Sequence, residues 1–221
     1  MNIQELKDLQ PLVYQQFVTI LEQGRLAHAY LFSGDFASFE MALFLSQALF
    51  CQEKVGVLPC GKCRSCRLIE SNDFSDVTIV APQGNFIKTD TIRELVKNFS
   101  QSGFESSQQV FIIRDAEKMH VNAANSLLKV IEEPQSTIHI FLLTNQEEAV
   151  LPTIKSRTQI ISFPQNLPYL ERILEEEGLL KTQASLIARL VSSQEEAKRL
   201  ATNKSFIDLL DQAKKFTELL L

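Results

Sequence analysis

Four apolar runs of strand length alternate with helical patterns, and this alternation limits the chain to few folds. The runs are residues 29–32, 76–82, 109–114 and 138–143. They are rich in Val, Ile, Leu and Phe, with little polar alternation, as expected of strands covered on both faces. Between them lie segments of helical period, such as 123–133, where Leu127, Leu128 and Ile131 share one face. Strand and helix in alternation predict an α/β domain built on a parallel sheet. A fifth strand is expected at 159–163, after a short helix carrying Ser156 and Arg157. Residues 6–24 read as one helix stopped by Gly24.

The first strand leads through Ser33-Gly34 into a helix containing Met41, Leu43, Phe44, Leu45 and Leu49. A strand–turn–helix junction is where phosphate-binding loops sit, because the helix N-terminus offers unpaired N–H groups and a positive dipole end. The working motif is G-x-x-x-x-G-K-S/T. Here only Gly34 remains. Phe39 stands at the second glycine position, Glu40 at the lysine and Met41 at the hydroxyl. A ring, an anion and a thioether replace the groups that admit, hold and metallate a phosphate. In an ATPase of this plan the 109–114 strand ends in two acids that serve magnesium and water. This chain has Arg114-Asp115 there. Both departures predict that no nucleotide is bound. Arg114 is also open to the plainer reading of a salt bridge.

Cys51, Cys60, Cys63 and Cys66 follow in C-x8-C-x2-C-x2-C spacing. Two C-x2-C steps place sulfurs around one tetrahedral ion, so a structural four-thiolate zinc site is expected, with no open position for catalysis. The alternative is a buried thiol at Cys51 beside three incidental ones. Lys54, Lys62, Arg64 and Arg67 surround the cluster. They either offset its negative charge or form a nucleic-acid patch. A net charge of −5 argues against a strong independent grip on nucleic acid. No apolar run reaches ~18 residues, and the first residues are polar. No membrane is therefore expected, and a cytoplasmic location is. In that compartment the thiols stay reduced. His139 has no metal-ligating neighbour in sequence and reads as a packed core residue.

Beyond Pro164 the pattern is helical throughout. Pro168 opens a helix that stops at Gly178, and Ser193 caps another with Glu196 at the capping-box position. The expected division is an α/β domain at 1–163, with the cysteine module at 51–66, and a helical lid at 164–221.

LAHAYLFSG, the four-cysteine module, NAANSLLKVIEEP, IFLLTN and IKSRTQIISF occur in this order. In that combination the chain resembles the bacterial clamp-loader subunits of DNA polymerase III, an AAA+ family. Residues 125–134 follow that family's N-A-L-L-K-x-x-E-E-P helix signature, with Ser126 at the alanine position. The resemblance spans the whole chain and implies an AAA+ α/β domain with a zinc insert, followed by a small helical lid. The family's third, helical collar domain is expected to be absent.

The resemblance also implies roles. Ser156 and Arg157 match the first two residues of a Ser-Arg-Cys motif whose third is here Thr158. That arginine reaches in trans to the γ-phosphate on a neighbouring ATPase. Thr144 matches a sensor threonine, and Glu195 falls where a second sensor arginine is expected. The implied function is that of a non-catalytic subunit in DNA replication, an accessory to a DNA-directed DNA polymerase. Its implied partners are gamma/tau and delta subunits and, through the complex, the sliding clamp and primer-template DNA. Two rivals remain at this point: an active P-loop ATPase, and a zinc-dependent nucleic-acid-binding module.

Overall fold

In the computed structural model, residues 3–98, 108–133, 137–191 and 193–219 are described. Phe99, Pro134, Leu220 and Leu221 lie outside them, as does the side chain of Glu195. The chain divides into two units, Met1–Phe163 and Pro164–Leu221.

The first unit begins with α1 (Ile3–Leu9) and α2 (Pro11–Glu22). The single helix expected over 6–24 is therefore broken. Pro11 has no N–H to donate, and its ring clashes with the carbonyl four residues back, so it opens a new helix. The buried Gln10 side chain marks the joint by donating from Nε2 to the Phe36 carbonyl at 2.9 Å. Gly24 ends α2 as expected, at φ +62°.

Next come β1 (Ala29–Ser33), α3 (Ser38–Phe50), α4 (Arg64–Glu70), β2 (Val77–Val80), α5 (Thr89–Asn98) and β3 (Gln108–Ile113). They are followed by α6 (Val121–Glu132), β4 (Thr137–Thr144), α7 (Pro152–Lys155) and β5 (Gln159–Ser162). The strands form one parallel sheet in the order β2-β3-β4-β1-β5. The expected parallel α/β sheet is present, with each strand within two residues of its expected bounds.

Alternation along each strand gives the sheet two unlike faces. Ala29 and Leu31 of β1 join Ile138, Ile140 and Leu142 of β4 in an aliphatic layer. Ile92 and Leu95 of α5 and Leu127 and Ile131 of α6 pack against it. The opposite face is aromatic. Tyr30 stacks on Phe141 at 5.9 Å between ring centroids, and Phe32 meets Phe163 at 4.7 Å and Phe17 of α2 at 5.5 Å. Each such side chain, removed from water, contributes roughly 1.5–3 kcal/mol. The carboxyl ends of the central strands are thereby fixed side by side. Ser33 pairs with Thr144, and Ile113 with Leu142.

The second unit is helical: α8 (Leu167–Glu176), α9 (Lys181–Leu190), α10 (Gln194–Ala201) and α11 (Lys204–Leu219). Gly178, at φ +97°, follows α8, and the Ser193 hydroxyl accepts from the Glu196 N–H at 3.2 Å. Leu170, Leu174, Ala184, Ile187, Ala188 and Ala197 are buried within it.

Candidate functional site

In open α/β sheets, ligands sit beyond the carboxyl ends of the strands. Here that edge carries Gly34, Arg114 and Thr144. Gly34 donates its N–H to the Thr144 carbonyl at 2.8 Å, which joins the loop after β1 to the end of β4. Its φ is +115°, and a Cβ built on it would lie 2.3 Å from the Phe163 carbonyl oxygen. The one surviving motif glycine is thus required by the close approach of the β5 end.

The loop enters α3 through Ala37, which takes left-handed backbone at φ 62° and gives no side-chain cap. Phe39 lies beneath the Arg114 guanidinium, 4.9 Å from the ring centroid. Arg114 therefore stacks on the very residue that fills the second glycine position, and among the described residues it makes no salt bridge of the kind allowed by sequence. Met41 is fully buried and belongs to the core. Gly34, Asp35, Ser38, Phe39, Arg114 and Thr144 line a cleft of about 40 Å³. Small-molecule pockets run to roughly 300–1,000 Å³.

Thr144 is buried and already engaged. Its hydroxyl donates to Glu117 Oε2 at 2.6 Å and accepts from the Gln146 N–H at 3.1 Å. Sequence reasoning missed Glu117, which lies 27 residues away in a short polar turn with no motif to mark it.

The four cysteines converge. Cys51 closes the C-terminus of α3, and Cys63 is the N-cap of α4, which carries Cys66 in its first turn. Gln47 Nε2 ties α3 to α4 through the Cys66 carbonyl at 2.9 Å. The sulfurs all lie within 4.8 Å of one another, with Cys51 and Cys63 Sγ 3.9 Å apart. A tetrahedral ion with metal–sulfur bonds of ~2.3 Å requires sulfur separations of about 3.8 Å. The Cys60 N–H points at Cys51 Sγ and the Cys63 N–H at Cys60 Sγ, at 3.3 and 3.2 Å. N–H groups aimed at sulfur favour the thiolate. Burial raises the Cys63 thiol, yet hydrogen bonds from the Cys66 and Gln52 backbone and from the Cys66 and Cys60 side chains bring it down to about 6. Burial first, then the neighbouring thiols, push Cys66 up. Sulfurs at these separations, two of them met by backbone N–H groups, form a crowded ligand set. The donor set fits a four-coordinate metal ion.

Ser156 and Arg157 lie just past α7, with the Arg157 side chain 40% exposed. Arg157 Nη1 donates to the Thr153 carbonyl and to Ser156 Oγ, both at 3.2 Å, and Nε donates to Glu132 Oε1 of α6. Glu132 belongs to the helix signature, but its contact with Arg157, 25 residues on, carries no sequence mark. His139 is a packed residue, 8% exposed, with Nδ1 3.0 Å from the Ala27 carbonyl. Among the described residues no helix is long and apolar enough to cross a membrane.

A parallel sheet in this order, a strand–loop–helix at its edge and a four-cysteine insert after the first core helix define an AAA+ α/β domain whose phosphate loop has lost its lysine and hydroxyl. A family profile described as "DNA polymerase III, delta subunit" matches residues 9–166. The chain is 37% identical over 98% of its length to DNA polymerase III subunit delta' of Bacillus subtilis, and covers 66% of that protein. It is 35% identical over 68% of its length to the subunit delta' of Pseudomonas aeruginosa, of which it covers 49%. A crystal structure of a DNA polymerase III gamma subunit-related protein from Thermotoga maritima shares the fold, with TM-score 0.51 and 23% identity over 90% of this chain and 76% of that one. The chain belongs to the DNA polymerase III delta-prime family. It spans 66% and 49% of the length of these two curated relatives.

Proposed function

We propose that the chain serves as a non-catalytic clamp-loader subunit that binds no nucleotide itself and supplies Arg157 to ATP held by a neighbouring gamma/tau ATPase. One observation carries this reading. The chain keeps a held, solvent-reachable arginine in the Ser-Arg motif while the edge where its own nucleotide would lie is filled by Phe39 and Arg114. A guanidinium brought to the γ-phosphate stabilises the charge that spreads over its oxygens as the phosphoryl group transfers.

Zinc is the ion we assign to Cys51, Cys60, Cys63 and Cys66, as a structural staple between α3 and α4. The Pro164–Leu221 unit acts as the lid. The delta subunit is the second neighbour, and contact with the sliding clamp and primer-template DNA comes through the complex, in the cytoplasm.

The test is a complex reconstituted from this protein, gamma/tau and delta, assayed for ATP hydrolysis with clamp and primed DNA. A trans arginine contributes roughly 10³–10⁵ at the site it serves. Arg157→Ala is therefore expected to silence one ATPase site and depress clamp loading, while its melting temperature stays that of the wild type. Unchanged hydrolysis and loading would overturn the assignment.

A further inference from the structure

Arg157 is held at two of its three nitrogens. Nε faces Glu132, and Nη1 is taken by the Thr153 carbonyl and Ser156 Oγ. Among the described residues nothing is bonded to Nη2. A guanidinium carries five donors in a fixed plane. Fixing the Nε edge and one Nη thus sets the plane and leaves the Nη2 donors for an anion from outside the chain.

We infer that Glu132 is a positioning residue for Arg157, holding its guanidinium at the angle at which Nη2 meets a phosphate oxygen of the neighbouring subunit. This rests on the trans-arginine reading above. The alternative, that Glu132 masks Arg157 until it is needed, fits the geometry poorly. A masking carboxylate would pair with two prongs, through both Nη groups or through Nε and Nη2. Glu132 bonds Nε alone, which leaves Nη2 for a phosphate oxygen. The two side chains are 40% and 47% exposed, and ion pairs so exposed are weak. Orientation is therefore the larger effect of the contact. Glu132 ends α6, whose Leu127 and Ile131 are buried in the aliphatic layer. The carboxylate stands on a fixed element, as an orienting group must.

The experiment compares variants in the reconstituted complex, reading kcat and KM for ATP separately. Misplacing a catalytic group by about 1 Å can cost up to 10²-fold. Glu132→Ala is expected to lower kcat roughly tenfold or more with KM for ATP little changed. Glu132→Gln keeps an oxygen acceptor for Nε–H and should recover most of the rate. Glu132→Asp, one methylene short, should not. Glu132→Ala added to Arg157→Ala should cost nothing further. Wild-type rates for Glu132→Ala, with Arg157→Ala slow, would overturn this inference and leave the trans arginine standing. Faster hydrolysis would make Glu132 a mask and overturn it as well. A further loss on top of Arg157→Ala would assign Glu132 a merely structural part. Wild-type rates for Arg157→Ala would remove the reading on which this one rests. If Glu132→Ala does not fold, the Gln and Asp variants decide alone.

Discussion

The Arg114 guanidinium lies over the Phe39 ring at 4.9 Å, so the two residues that replace nucleotide-handling positions at β3 and α3 are partners. Their joint replacement has a consequence for repair. Changing one of them leaves the other still obstructing the cleft. Wild-type protein and Arg114→Ala are both expected to give no heat with Mg-ATP in isothermal titration. Adding Phe39→Gly and Glu40→Lys supplies space and a cation, yet the buried Met41 still denies magnesium its hydroxyl. Any recovered binding should therefore be nearly independent of magnesium. Micromolar binding by the wild type would overturn this account.

Gly34 makes a separate prediction. A Cβ there would sit 2.3 Å from the Phe163 carbonyl oxygen, and no side-chain rotation relieves a clash with backbone. Gly34→Ala should be destabilised by about 1–3 kcal/mol from backbone conformation alone, plus whatever is needed to part β5 from the loop. Gly24 is the control. It also has positive φ, but nothing lies within 4 Å of its Cβ position, and Gly24→Ala should cost only about 1–2 kcal/mol. Urea midpoints of the two variants test the contrast. Equal shifts would show that the clash is relieved at no cost.

Much of this was legible in sequence for identifiable reasons. The strands were, because residues buried on both faces, such as Leu31 and Phe32 in β1 or Ile140 and Phe141 in β4, leave no polar positions to blur the pattern. The cysteine cluster was, because metal geometry imposes short spacings. The Arg114–Phe39 stack was not. Each residue was recognised as a departure from a motif, but nothing in one dimension says that two departures touch. Glu132 was read only as part of a signature, since a half-exposed contact between the ends of two helices has no periodicity. The break at Pro11 was overlooked because the apolar spacing of Val13, Phe17, Ile20 and Leu21 continues cleanly beyond it.

Metal removal should act locally. The sulfurs join the end of α3 to the start of α4, whereas the two sheet faces have cores of their own. Treating the protein with a strong chelator is expected to release about one zinc ion per chain and to expose the 51–66 loop to proteolysis. The thermal midpoint should fall by roughly 2–4 °C for each kcal/mol lost, and the circular-dichroism signal of the sheet should persist below it. Cys66→Ser should behave like the chelated protein. Absence of bound zinc in protein purified with zinc present would overturn the metal assignment.

His139 predicts how stability depends on pH. It is buried in β4, and burial is the chief cause that lowers its pKa below 6.5; the nearby His28 adds to this, while the Ala27 carbonyl opposes it. Since a carbonyl only accepts, Nδ1 carries the proton in the neutral ring. Above pH ~6.5 the imidazole is neutral in folded and unfolded chains alike, and it adds no pH dependence. As pH falls through 6.5, the unfolded chain takes up a proton that the folded one resists. Stability then drops, with a slope of at most about 1.4 kcal/mol per pH unit, until the folded pKa is reached. Urea midpoints at pH 7.5, 6.5 and 5.5 should show this decline in the wild type. In His139→Asn, whose amide nitrogen takes the place of Nδ1 toward the Ala27 carbonyl, the decline should be shallower. Parallel curves for the two proteins would mean that the acid sensitivity arises elsewhere.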